Sequence, residues 1–139
     1  QYINSSIFVV NNYKPNETYR LLLVVDNSAA TKKAVKYGIR IAQAFNIEVD
    51  VINVSMTDEF KDDYKNASDW ASKFLRRSNI NYRNIHLSGN PSELIAKEAG
   101  DNHIIVMPSS SKNPLKTFFQ GNKSLKVLEN SKCPILIVK

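Results

Sequence analysis

The stretch from Leu21 to Phe45, LLLVVDNSAATKKAVKYGIRIAQAF, decides the fold. Leu21 to Val25 is a continuous apolar run, the pattern of a strand buried on both faces of a parallel sheet. It stops at Asp26-Asn27-Ser28, where Ser28 is placed to cap a helix. Ala34, Gly38, Ile41, Ala42 and Phe45 then recur at three- and four-residue spacing and form one face of that helix. Gly38 in this face costs ~1 kcal/mol against alanine, so its presence predicts a close approach of helix to sheet.

The same alternation continues along the chain. Glu48 to Val54 reads as a second strand. Asp58 to Ser78 carries a helical stripe of Phe60, Tyr64, Ala67, Ala71 and Phe74, with Trp70 at its margin. Asn81 to Ser88 is a third, more polar strand and is expected at an edge. Asn90-Pro91-Ser92-Glu93 combines a capping residue, a first-position proline and a capping-box acid, and Gly100 ends the helix that starts there. His103 to Met107 is a fourth strand, and Pro134 to Val138 a fifth after a helix around Ser124 to Asn130. Repeated strand–helix units imply crossover connections. The expected product is an α/β doubly wound parallel sheet of five strands, order 3-2-1-4-5, with helices on both faces. Such sheets bind ligands beyond the carboxyl ends of the strands where the order reverses, here between the ends of strands one and four.

Composition sets the outer limits. The 139 residues suffice for one core, and the single cysteine, Cys133, allows no internal disulfide or zinc motif. No segment reaches the ~20 apolar residues of a membrane span, and no signal-peptide pattern opens the sequence. A cytoplasmic location without membrane insertion is expected. The net charge of +6 comes from lysines and arginines that are spread along the chain, with no interleaved aromatic platform. A solvated basic surface is therefore expected, and no nucleic-acid binding. His86 and His103 have no acid or nucleophile partner in sequence, so no catalytic residue is assigned and no enzyme activity is expected. No metal site is expected either.

Residues 1–19 stand outside the repeat. Ser6 to Val10 (SIFVV) reads as a short strand and Asn11 to Tyr19 as a linker. SIFVV resembles PILIV at Pro134 to Val138. Two readings stay open: the remnant of a preceding, similar domain in the same polypeptide, or an added edge strand. The working division is a strand and linker over 1–19 and a domain over 20–139.

The sequence resembles the universal stress protein family over Arg20 to Lys139, through LLLVVDNS with its helix, SGNPSELIAKEAGDNHIIVM and GNKSLKVLENSKCPILIVK. The resemblance implies a flavodoxin-like fold, dimerisation through the final strand, and ATP or AMP as the nucleotide in those members that bind one. It places Asp26 at the nucleoside and the backbone of Val51 and Ile52 at the adenine. The family's phosphate motif is glycine, two residues, glycine, nine residues, glycine, then serine or threonine. Here those positions are Pro108, Ser111, Gly121 and Asn122, so the spacing survives and one glycine remains. Pro108 has no N–H to offer a phosphate, and Ser111 brings a Cβ where glycine allows close approach.

Met107, Ser109 and Lys123 complete the candidate nucleotide or anion site. The N-terminus of the helix after Gly121 would still present N–H groups to an anion. The reading is a regulatory or interaction domain with a degenerate nucleotide loop and reduced or absent ATP affinity. The alternative is a nucleotide- or anion-binding sensor that uses the altered loop, within a tandem stress protein or a transporter's cytoplasmic tail. Ile135 to Val138, short, apolar and terminal, is expected to pair with its counterpart in a homodimer, unless Ser6 to Val10 covers it.

Overall fold

Alternate residues of the Leu21 to Val25 run go to opposite faces of one sheet, and each face has its own core. The computed structural model describes residues 7–9, 13–26, 29–55, 61–108 and 133–138. In chain order the elements are β1 (Ile7–Val9), β2 (Arg20–Val24), α1 (Ala30–Phe45), β3 (Val49–Ser55), α2 (Lys61–Arg77), β4 (Tyr82–Ser88), α3 (Pro91–Ala99), β5 (His103–Pro108) and β6 (Ile135–Val138). Leu21, Leu23 and Val25 pack with Ala34, Val35 and Ala42 of α1 and with Ala71 and Leu75 of α2. Leu22 and Val24 pack on the other face with Ile95 and Ala99 of α3. A strand with both faces covered must be apolar throughout, which is why this run shows no alternation.

The sheet has six strands in the order β1-β6-β5-β2-β3-β4. The pairs β2–β3, β2–β5, β3–β4 and β5–β6 are parallel. These five strands form the doubly wound sheet of order 3-2-1-4-5 expected from the repeat. The sixth, β1, pairs antiparallel with β6, so the edge on which a homodimer is expected from sequence is occupied within the chain. Segment 13–19 is tied down more firmly than a plain linker. Tyr19 is buried, its ring stacks on Tyr13, and its hydroxyl accepts the Lys14 N–H at 2.8 Å.

Local signals account for the helix ends. Helices α1, α2 and α3 are followed by Asn46, Asn79 and Gly100, all at positive φ, a conformation that asparagine and glycine tolerate best. Asn90 accepts the Glu93 N–H at 3.4 Å, as its capping position predicts. The start of α1 corrects the sequence reading. Its N-cap is Ala29, with no side-chain cap, and Ser28 lies outside the described residues. The helix expected around Ser124 to Asn130 also lies outside them.

One polar cluster holds the amino-terminal rim of the sheet. Asp50, in β3, has a side chain with no exposure at all. Its oxygens accept from Arg20 Nε at 3.0 Å and Nη2 at 2.6 Å, from Arg83 Nε at 2.7 Å, and from His103 Nε2 at 2.8 Å. The other ring nitrogen of His103, Nδ1, bonds the Ala99 carbonyl at 2.8 Å. Burial pushes the Asp50 carboxyl upward, but the hydrogen bonds from Arg20, Arg83 and His103 outweigh it and hold the group well below the usual carboxylate range.

Two predictions follow from this packing. A carboxyl whose folded pKa is depressed stabilises the fold above its unfolded value of ~3.9, and that contribution is lost as pH falls below it. Asp50→Asn should therefore lower stability at neutral pH by about 1–3 kcal/mol, since it removes the charged acceptor that Arg20, Arg83 and His103 share. Thermal melts should also show that the variant loses less on acidification than the wild type; an equal acid loss would mean other groups carry it. The second concerns Gly38, where an added Cβ would lie 3.1 Å from Leu23 and 3.2 Å from Leu21 side-chain carbons. Gly38→Val should cost roughly 1–3 kcal/mol by overpacking, measured by urea unfolding.

Candidate functional site

The chain leaves β2 toward β3 and β4 on one side of the sheet, while β5 and β6 lie on the other. The crevice at the carboxyl ends of β2 and β5 is thus the switch point of the fold. Leu23 pairs with Val106, so Val25 falls level with Pro108 and Asp26 follows directly above. Two of the candidate residues from distant parts of the sequence therefore meet at this rim.

Asp26 is half-buried and held by a reciprocal pair of bonds. Its backbone N–H donates to Thr31 Oγ1 at 3.1 Å, and the Thr31 hydroxyl donates to Asp26 Oδ1 at 2.7 Å. Thr31 is itself buried in the first turn of α1. The pair fixes the β2–α1 connection and sets one carboxylate oxygen. Thr31 is absent from the sequence-derived site. A hydroxyl in a first helical turn, five residues after the acid, is the signal that could have found it.

Pro108 is the last residue of β5, pairs with Val138 of β6, and is buried. It belongs to the strand and not to the loop that follows. Met107 is also buried, with its side chain in the core on the α3 face, so it supports the crevice from below. Val51 and Ile52 lie inside β3, paired on one side with Leu23 and Val24 and on the other with Asn84 and Ile85. Their side chains are fully buried, and the Ile52 carbonyl accepts the Val25 N–H at 3.0 Å. The structure thus sets both within the ladder, and Val54 and Ser55 form the rim at that strand. Ser109, Ser111, Gly121, Asn122 and Lys123 lie outside the described residues.

A second polar arrangement lies at the far side of the sheet, under α2. A groove of about 340 Å³ is lined by Lys65, Ser68, Asp69, Asn84, Ile85 and His86. Buried Asn53 donates to Ser68 Oγ at 2.7 Å, and its carbonyl oxygen bonds His86 Nδ1. The imidazole reaches the amide and not the serine, so the group lacks the base–hydroxyl contact of nucleophilic catalysis. The buried polar Asn53 within VINV was the sequence signal for this network. Among the described residues no three His, Cys, Asp or Glu side chains gather as a metal site, and no helix is long and apolar enough to cross a membrane.

Cys133 is buried, and its Sγ donates to the Gly100 carbonyl at 3.0 Å, the position of a packed structural thiol.

This architecture has known counterparts. Universal stress protein MJ0531 of Methanocaldococcus jannaschii is 25% identical over 140 residues, which covers 86% of this chain and 81% of that protein. A universal stress protein structure from Archaeoglobus fulgidus superposes with a TM-score of 0.69 at 19% identity and covers 98% of this chain; this chain spans only 50% of its length. Another from Archaeoglobus fulgidus, solved in complex with dAMP, gives a TM-score of 0.68 at 18% identity over 87% of this chain and 98% of its own. At those identities the two structures establish the fold alone. Residues 18–139 match the Universal stress protein family, and with that the two-faced sheet and its switch-point crevice have their place: the chain belongs to this family.

Proposed function

We propose that this domain acts by binding and association, without catalysing a reaction, as a regulatory domain whose altered phosphate loop has reduced affinity for ATP. The observation that carries this reading is Pro108. It stands at the switch point, as the final residue of β5, where the loop departs. Proline has no backbone N–H, so this first glycine position of the family's phosphate motif has no donor to give. The dAMP bound by the Archaeoglobus fulgidus relative supports a nucleotide as the ligand class.

A second reading is supported by the Asp26–Thr31 pair. The nucleoside end of the crevice keeps a carboxylate held by Thr31, so the hydroxyl groups of an adenine nucleotide would still find an acceptor there. A sensor domain that takes its ligand weakly fits both observations.

Calorimetric titration with ATP, AMP and phosphate tests the proposal. The wild type should bind ATP far more weakly than a Kd of ~1 μM, the scale of a complete site of ~8 kcal/mol. Pro108→Gly with Ser111→Gly should restore a donor and remove the Cβ, and two charged hydrogen bonds of ~1.5–3 kcal/mol each would tighten ATP at least tenfold. Micromolar binding by the unmodified chain would refute the reduced-affinity reading. In the glycine background, Asp26→Ala should remove the gain. Thr31→Val, which removes the hydroxyl that bonds Asp26 Oδ1, should weaken ATP by about fivefold, the equivalent of one hydrogen bond of ~1 kcal/mol. Equal affinities for the Thr31 pair of proteins would show that Asp26 needs no such bond.

A further inference from the structure

The net charge of the chain is not shared evenly between its layers. In sequence, α1 carries four cations, Lys32, Lys33, Lys36 and Arg40, and no acid, while α2 carries five cations and three acids. These two helices together hold the whole net charge of +6, and the rest of the chain is neutral. Both helices pack on the same face of the sheet, and each links neighbouring parallel strands, so they lie side by side and run in the same direction. Cations that are scattered along the sequence are thus gathered on one layer of the fold.

The outward side of this layer is polar and basic. The buried residues of α1 are Thr31, Ala34, Val35, Gly38 and Ala42, and all four of its cations are exposed. Lys73 and Arg77 of α2 are exposed too, whereas Asp69, the one acid of α2 among the described side chains, lines the groove beside β4. Lys32 Nζ lies 5.8 Å from the centre of the Trp70 ring, and the Arg77 guanidinium 5.7 Å from that of Phe74. The two half-buried rings stand 4.5 Å apart, so cations cap the seam between the helices. Lys32 and Lys33 also sit in the first turn of α1, where no acid offsets them and where they oppose the helix dipole. Both weaken the helix that carries them; an anionic surface outside it reverses the sign.

We propose that the outer face of α1 and α2 docks on an anionic lipid surface, by charge and without insertion. Extent is the first feature that selects this occupant. The 16 residues of α1 span ~24 Å, more than twice the Debye length of ~10 Å at 0.1 M salt. A small phosphate ligand would feel only the nearest cations, whereas a bed of anionic headgroups faces all of them at once. Shape is the second. Two helices side by side make a layer too broad for the place of one helix in a duplex groove. The ring faces of Trp70 and Phe74, which single-stranded bases would need, are taken by Lys32 and Arg77. The exposed line of Lys32, Lys36, Arg40 and Gln43 holds no apolar side chain to sink among acyl chains, so the contact stays at the headgroups.

Co-sedimentation of the full chain with vesicles tests this, phosphatidylcholine alone against phosphatidylcholine with about one-third phosphatidylserine. The wild type should pellet with the anionic vesicles at about 0.05 M salt, leave them at about 0.5 M, and ignore the neutral ones. Lys33→Gln with Lys36→Gln changes two exposed side chains and should weaken partitioning about 25-fold, or about fivefold per cation, the equivalent of ~1 kcal/mol each. Lys97→Gln, on α3 at the opposite face of the sheet, should leave it unchanged. Binding that neutral vesicles share, that survives high salt, or that Lys97→Gln reduces as much as the α1 pair does would overturn the proposal. So would a folded wild type that stays in the supernatant with anionic vesicles at low salt. Its capture by a single-stranded oligonucleotide in that case would assign the face to nucleic acid instead.

Discussion

The buried carboxylate of Asp50 is the constraint on which the sheet is assembled. It sits in β3 with no exposed surface, and it accepts hydrogen bonds from β2 through Arg20, from β4 through Arg83 and from β5 through His103. A carboxylate taken out of water is strongly unfavourable unless its lone pairs are satisfied. An order that separated these four strands would break at least one of these contacts and leave part of the carboxylate's hydrogen bonding unsatisfied. His103 extends the network to α3, since its second ring nitrogen bonds the Ala99 carbonyl at the end of that helix. Replacing such a cluster by apolar side chains need not weaken a fold, but an apolar cluster would not discriminate between neighbours in this way. Here the ionic contacts select β4-β3-β2-β5 at one rim, while the apolar faces supply the cohesion.

That rim is at the amino-terminal ends of the parallel strands. The opposite rim is then free of the duty of holding the order together, and it is there that the chain reverses direction and opens a crevice. The difference in character is visible in the side chains. Asp50 is locked by two guanidinium groups and an imidazole, whereas Asp26 is half-buried and bonded to a neutral hydroxyl. One carboxylate is used up by structure. The other is held at the opposite rim, at the end of β2.

Pro108 ends β5 level with Val25, at the same rim as Asp26. Within the sheet it is well accommodated, because the last residue of a strand can forgo a ladder donor. There it contributes a rigid ring and no backbone N–H. Two local choices mark this part of the chain: a proline as the final residue of β5, and a three-residue strand paired with β6.

The amino-acid sequence by itself determined the elements. The apolar run Leu21 to Val25, the helical stripe after it, the Asn90-Pro91 start and Gly100 stop of α3, and the need for small Gly38 against β2 all act within a few residues. Local sterics and periodicity suffice to read them. The repeat of strand and helix then restricts the topology to very few forms, which is why order 3-2-1-4-5 was legible. What only the tertiary structure decided lies in contacts between residues far apart in the chain. Asp50 meets Arg20, Arg83 and His103 across separations of 30, 33 and 53 residues, and none of these four advertises the others. The pairing of Ile7–Val9 with Ile135–Val138 joins opposite ends of the chain. Val51 and Ile52 lie inside the strand expected from sequence, and their partners Leu23, Val24, Asn84 and Ile85 are supplied by the fold. Hydrophobic pattern is a local property of the chain; the partner of a buried charge, or of a strand edge, is whatever the folded chain brings beside it.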